Sequence, residues 1–233
     1  MSVTDHVDIV GVSSAQQLAD GLTRMILDGA LAPGERIRES AIARDLGLSR
    51  NTVREAVRLL QNSGLVRYGF NRGLVVWQPT DADVVDVFAA RLHFEAAAAA
   101  TLTAKSDLTD LENTYDAYLS VLQIGDTRRI VDGDLAIHQS LVRLIGSSRI
   151  DAYYSDLITE LRYLLLVLTT DDSQQDVGAL AEEHREIVDV FRSRQPKVAQ
   201  KAITRINNHN RDAVRSVFAQ RAARAGIDPT ASV

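Results

Sequence analysis

Residues 37–66 read IRESAIARDLGLSRNTVREAVRLLQNSGLV, two short helical patterns hinged at Gly47. Ile42 and Leu46 mark an apolar face on the first, Gly47 supplies the turn, and Ser49 is placed to cap the second helix through its side-chain oxygen. At about 100° per residue, Val53, Ala56, Val57 and Leu60 gather into one stripe that must face a core. Arg50, Asn51, Arg54, Arg58 and Gln61 fall on a different side, and Glu55 points away from it. This is a helix-turn-helix pattern, with fork-shaped donors on the first turn of the second helix, where base edges and phosphates lie in a major groove.

Downstream, LVRYGFNRGLVVW (65–77) alternates apolar and polar residues around a Gly-Phe-Asn-Arg-Gly turn, which predicts a two-stranded hairpin with Arg67 and Arg72 on a basic wing. The residues expected to face DNA are Ser49, Arg50, Asn51, Thr52, Arg54, Arg58, Arg67, Arg72 and Gly73. Arg58 and Arg67 are the ones placed for phosphate.

The stretch from Ser13 to Pro79 resembles the winged-helix domain of GntR-type bacterial transcription regulators. The resemblance is carried by the Pro33-Gly34 turn, the Ala-x-x-Leu-Gly-x-Ser-Arg element from Ala43 to Arg50, and Val-Arg-Glu-Ala from Val53 to Ala56. The family often has Thr-Pro after Ser-Arg where this chain has Asn51-Thr52, so the base read by position 51 is expected to differ.

A chain of 233 residues is long for one domain. Charge divides it in the same place: nine basic against eight acidic residues up to position 78, then seventeen against twenty-three. A locally basic module on an acidic chain suits a specific, salt-sensitive DNA contact better than general coating of nucleic acid. There is no cysteine, which excludes disulfides and thiolate metal sites. No segment holds 18 uninterrupted apolar residues, and the N-terminus lacks a basic-then-apolar signal, so a cytoplasmic location is expected.

The acidic remainder is helical in pattern, with helices expected near 81–104, 107–124, 126–145, 149–170, 176–194 and 196–222; Ser106, Asp126 and Pro196 mark starts, Gly125 and Gly146 stops. Short links imply antiparallel neighbours. The expected fold is mainly α, a winged helix-turn-helix (13–79) followed by an antiparallel six-helix bundle (80–222), with tails at 1–12 and 223–233. The alanine run Ala96 to Ala100 reads as close helix packing.

Polar residues interrupt the apolar stripes of this bundle. Asp134 and His138, spaced i, i+4, fall inside the stripe of Ile130, Ile137, Leu141, Leu144 and Ile145. His184 lies between Leu180, Ile187 and Phe191, and His209 shares a face with Val198, Ala202, Ile206 and Ala213. An unpaired buried carboxylate is costly, and one divalent ion would satisfy all four groups. A hydrogen-bonded polar core is the alternative.

Residues 81–222 resemble the helical ligand-binding FCD domain of the FadR branch, and six helices without a linker helix resemble its VanR-like group. In metal-binding members the ligands are an Asp and a His one turn apart and two later histidines, which the resemblance assigns to Asp134, His138, His184 and His209; zinc is the expected occupant, with nickel or manganese also compatible. Arg91 and Glu95 match an Arg-x-x-x-Glu element of the family. Arg91 either pairs only with Glu95 or reaches a carboxylate effector, and Arg162 is a second candidate for that contact.

These observations imply a homodimeric transcription regulator on a short inverted repeat of double-stranded DNA, controlled by a small organic acid. A metal-dependent hydrolase and an architectural DNA-binding dimer are the alternatives; the first lacks an evident additional base, nucleophile or phosphate loop.

Overall fold

The computed structural model describes residues 13–69, 72–169 and 177–225. The expected N-terminal tail, the wing-turn residues Phe70 and Asn71, and the C-terminal tail beyond 225 lie outside the described residues.

The N-terminal part runs α1 (Ser14–Leu27), α2 (Glu39–Leu46), α3 (Arg50–Asn62), β1 (Val66–Gly69) and β2 (Gly73–Val76). Helix α1 starts where the Ser13 side chain accepts the Gln16 N–H, and it buries Ala15, Leu18, Ala19, Leu22 and Ile26, spaced for one helical face. Gly47 closes α2 with φ 65°, a left-handed conformation that costs a residue with a Cβ and leaves glycine unstrained. Ser49 then accepts the Thr52 N–H at 3.1 Å and opens α3, whose buried face is Val53, Ala56, Val57 and Leu60. The strands pair antiparallel, Val66 against Val76 and Gly69 against Gly73.

Six bundle helices follow: α4 (Asp81–Ala100), α5 (Thr109–Ile124), α6 (Thr127–Arg143), α7 (Ser148–Thr169), α8 (Val177–Arg192) and α9 (Pro196–Ala225). A reciprocal cap between Thr80 and Asp83 starts α4, and the Asp126 side chain caps α6 by accepting the Arg129 N–H. Two expected details are corrected. Ser106 does not cap α5; its hydroxyl accepts the Thr103 N–H, and the helix begins at Thr109, whose N–H goes to Asp107. Leu46, the last residue of α2, is 58% exposed, because at 100° per residue it lies about 60° round the helix from the buried Ala43.

One apolar core crosses from the winged helix into the bundle, joining Leu22, Ile26, Val57, Leu60 and Trp77 to Phe88, Leu135, Tyr154, Tyr163 and Val214. Each such side chain, fully withdrawn from water, contributes about 1.5–3 kcal/mol to the fold as a whole. Trp77 stacks on Tyr163 with ring centroids 5.5 Å apart, and the Tyr163 hydroxyl donates to the Trp77 carbonyl at 2.6 Å. A second core, of Leu111, Tyr118, Ile137, Leu141, Ile187, Phe191, Ile203 and Ile206, fills the far end of the bundle. Among the described residues, no helix is long and apolar enough to cross a membrane.

Candidate functional site

Arg50, Asn51, Arg54 and Arg58 are exposed along one side of α3, with Thr52 half-buried at its cap. Arg50 and Arg54 line a groove with Arg36, Arg38, Tyr68 and Gly73, so α3, the segment before α2 and the wing share one basic concavity. Arg72 is exposed at the wing turn, where its N–H closes onto the Gly69 carbonyl at 3.1 Å.

Arg67 is placed differently from the expectation. Its guanidinium lies over the Trp77 ring, 4.3 Å from the centroid, and donates to Asp83 at 3.0 Å and Glu160 at 3.5 Å. The strand that carries it alternates sides, and the side holding Arg67 faces α4 and α7.

The second site lies inside the bundle. Asp134 and His138 rise from α6 one turn apart, and His184 meets them from α8, so that one ligand atom from each lies within 4.8 Å of the others. The Nδ1–H of His184 donates to the Leu180 carbonyl at 2.8 Å, which in the neutral ring leaves a bare lone pair on Nε2. That nitrogen stands 2.8 Å from Asp134 Oδ1 without hydrogen-bond geometry. Two lone pairs face each other there, and only a proton or a cation between them makes the contact favourable.

His138 is fully buried, and neither ring nitrogen has hydrogen-bond geometry, although Nδ1 lies 3.0 Å from Glu95 Oε1. Orphaned imidazole nitrogens beside a carboxylate fit a borderline divalent ion, which would take Asp134, His138 and His184 as ligands. Burial alone would lower the His184 pKa; the Asp134 carboxylate outweighs it and holds the imidazole above its ordinary 6.5. Burial would likewise raise Asp134, but the close approach of His184 and the charges of His184, His138 and Arg91 hold it well below the usual carboxylate range.

Arg91, fully buried on α4, donates through Nε to Glu95 Oε1 at 2.9 Å, and the Tyr154 hydroxyl donates to the same oxygen at 2.7 Å. Against its burial, Glu95 is held down to about 2 by His138 and Arg91. One guanidinium nitrogen of Arg91, Nη2, is buried without a partner. Arg91 and Asp134 line a cavity of about 340 Å³, with Tyr118, Glu183, His209 and Asn210 on its other walls and Ile130, Val131, Leu165 and Val214 between them.

Of the expected ligands, the structure brings Asp134, His138 and His184 together; His209 lies outside that trio, exposed at the cavity wall. The reason is helical phase. The core side of α9 runs through Ala199, Ile203, Ile206 and Val214, with Val198 44% exposed. His209 sits about 100° from the centre of that side and Asn210 close to it. Arg162 is held on the bundle surface by Asp132 at 2.7 Å and is not among the cavity-lining residues. Tyr118, Glu183 and Asn210 were not singled out in the sequence; the signal for Asn210 was its i, i+4 spacing from Ile206.

A winged helix with a basic concavity, docked on a helical bundle with a largely apolar cavity that Arg91, Asp134 and Glu183 edge with charge, is the build of a transcription regulator. The model of the gntR family of bacterial regulatory proteins matches residues 14–76, and that of the FCD domain matches residues 86–209. The chain belongs to the GntR family and carries an FCD domain. It is 29% identical over 192 residues to a probable D-xylose utilization operon transcriptional repressor of Paenarthrobacter nicotinovorans, covering 82% of this chain and 84% of that one. It is 30% identical over 144 residues to an uncharacterized HTH-type transcriptional regulator of Agrobacterium vitis, covering 59% of this chain and 83% of the relative. Among solved structures, a GntR transcriptional regulator from Rhodococcus sp. RHA1 superposes with a TM-score of 0.75 at 27% identity, over 87% of this chain and 98% of the other. These relatives are regulators of transcription, not enzymes, and the hydrolase alternative is set aside.

Proposed function

We propose that this protein is an effector-responsive regulator that binds a short inverted repeat as a homodimer and is controlled by a small organic acid held in the bundle cavity beside a divalent ion. The observation that carries the reading is the cluster of Asp134, His138 and His184 beside a cavity that Asp134 and Arg91 line, with orphan atoms Arg91 Nη2, Asp134 Oδ2 and His184 Nε2. Such groups are costly unless something polar meets them. An ion on Asp134, His138 and His184 supplies a Lewis-acidic anchor, and Arg91 supplies the second charge that orients a carboxylate.

On the DNA side, Arg50, Asn51 and Arg54 are assigned to base edges, Ser49, Thr52, Arg58 and Arg72 to the backbone, and Gly73 to the close approach of the wing. One recognition helix spans only a few base pairs, so a two-fold dimer on paired half-sites supplies the remaining specificity. Coupling requires that the acid bind one arrangement of the two winged helices better than the other.

The test is a thermal-shift screen of organic acids on zinc-loaded protein, followed by binding of a fluorescent operator duplex with and without the hit. An acid that raises the melting temperature and changes operator affinity supports the reading; acids that stabilise neither wild type nor metal-loaded protein refute it.

A further inference from the structure

The polar side chains that open α3 are not equivalent. Ser49 caps the helix by accepting the Thr52 N–H at 3.1 Å, and its hydroxyl lies 2.8 Å from that of half-buried Thr52, so these two hydroxyls satisfy each other. Arg50, Asn51 and Arg54 are exposed, and among the described residues none of the three engages a side-chain donor or acceptor within the protein. At 100° per residue, Asn51 stands about 170° from the middle of the buried stripe of Val53, Ala56, Val57 and Leu60, with Arg58 within about 20° and Arg54 within about 60° of it. The outermost point of the first turn is therefore held by a short uncharged amide among longer cations.

That amide has a preference that arginine lacks. A guanidinium only donates, so Arg50 and Arg54 suit the two major-groove acceptors of guanine, N7 and O6. An asparagine side chain presents one donor and one acceptor side by side, the complement of adenine, whose edge offers the N7 acceptor and the N6 amino donor. Guanine would set the amide oxygen against a second acceptor, and neither cytosine nor thymine supplies both partners on one base. A backbone phosphate would leave the same oxygen facing negative charge. Threonine, frequent in the family at this position, has a single oxygen and no such pair, so the preference is this chain's own.

We infer that Asn51 reads an adenine in each operator half-site, beside the guanine contacts of Arg50 and Arg54. The inference rests on the assignment of α3 to base edges above and names the base at one position. A side chain this short reaches a base edge only from the start of a helix set deep in the major groove, and the Ser49 cap fixes that start.

The test selects binding sites for the full chain and for Asn51→Ala from duplexes with about twenty randomised base pairs, room for two half-sites. Wild-type sites are expected to share an adenine in both halves; Asn51→Ala should lose the preference at that position alone and keep the guanines. In a selected site, replacing that adenine by 7-deazaadenine removes the N7 acceptor and keeps the pairing to thymine. Wild-type affinity should then fall about tenfold, with Asn51→Ala unaffected. Circular dichroism verifies that the variant folds. Sites without a fixed adenine, an adenine preference that survives in Asn51→Ala, or a 7-deazaadenine effect absent from wild type or equal in both proteins would overturn the inference while leaving α3 as the reading helix. If neither protein enriches any sequence, the assignment of α3 to base edges itself fails.

Discussion

The Tyr163 hydroxyl, two residues before the cavity-lining Leu165 on α7, donates a 2.6 Å hydrogen bond to the carbonyl of Trp77 at the end of the wing. One helix therefore touches the bundle cavity on one side and the winged helix on the other. Glu160, a turn earlier, reaches the wing through Arg67. Any shift of α7 on filling the cavity acts on the wing at two points.

Tyr163→Phe removes this bond while keeping the ring stack. The expected loss is about 1–2 kcal/mol of unfolding free energy, since the buried Trp77 carbonyl loses its partner. Urea denaturation of the two proteins measures it, and an unchanged midpoint would show that the contact does not hold the domains together.

Substitutions in the basic concavity should separate by role. Arg50→Ala and Arg54→Ala are expected to cost about 1–3 kcal/mol of operator affinity where the arginine makes a bidentate contact to guanine. Arg58→Ala should weaken all sequences alike and flatten the salt slope by roughly one ion. Arg67→Ala should instead lower stability with little change of slope, because Asp83, Glu160 and Trp77 already occupy its guanidinium. Fluorescence anisotropy at several salt concentrations distinguishes these outcomes, and a slope change in Arg67→Ala as large as in Arg58→Ala would return that residue to the DNA surface.

The Asp134–His184 pair sets a pH dependence with a definite sign. With its folded-state pKa raised above 6.5, His184 stabilises the metal-free protein below that value and loses the contribution as pH rises through the folded pKa; Asp134, held low, contributes above its unfolded pKa and loses it as pH falls toward the folded value. Metal competes with the His184 proton. Metal-free protein should therefore lose stability from about pH 6.5 upward, while the stabilisation by added zinc grows over the same range. Melting curves across this interval, with elemental analysis near one ion per chain, check both halves; His138→Ala and His184→Ala should abolish the zinc effect and leave basal DNA binding intact. A zinc effect independent of pH would exclude His184 as ligand.

Gly133→Ala probes the packing behind the cavity. A methyl group 2.7 Å from the Tyr118 ring forces that side chain or α6 to move, at an expected cost of about 1–3 kcal/mol. Thermal unfolding reads the cost, and a wild-type melting temperature would show that the ring yields freely.

Local chemistry made most of the fold legible. The caps at Ser49 and Asp126, the left-handed glycines 47 and 125, and the 3.6-residue spacing of apolar positions act over a few residues and can be read along the chain. The same holds for Asp134 and His138, one turn apart. What was not legible depends on helical phase or on distant partners. The alanine-rich face of α9 is broad enough that Val198 and Ala202 compete with Ala199 and Ile203 to define it, and the choice decides between His209 and Asn210. Arg67 looks like any wing arginine until Asp83 and Glu160, 16 and 93 residues away, are placed beside it. Tyr118 carries no sequence mark, since an aromatic residue on an amphipathic helix is ordinary core.

The core shared by Ile26, Val57 and Trp77 with Phe88, Tyr154 and Tyr163 bears on how such proteins can be recombined. Residues 78–80 join two halves that are apolar toward each other, so cutting there uncovers oily surface on both pieces instead of releasing two finished modules. A chimaera that places this winged helix on a foreign bundle inherits an indole with no phenol to stack against and a carbonyl with no donor. Exchange of sensing domains in this architecture requires the matching tyrosine to travel with the tryptophan.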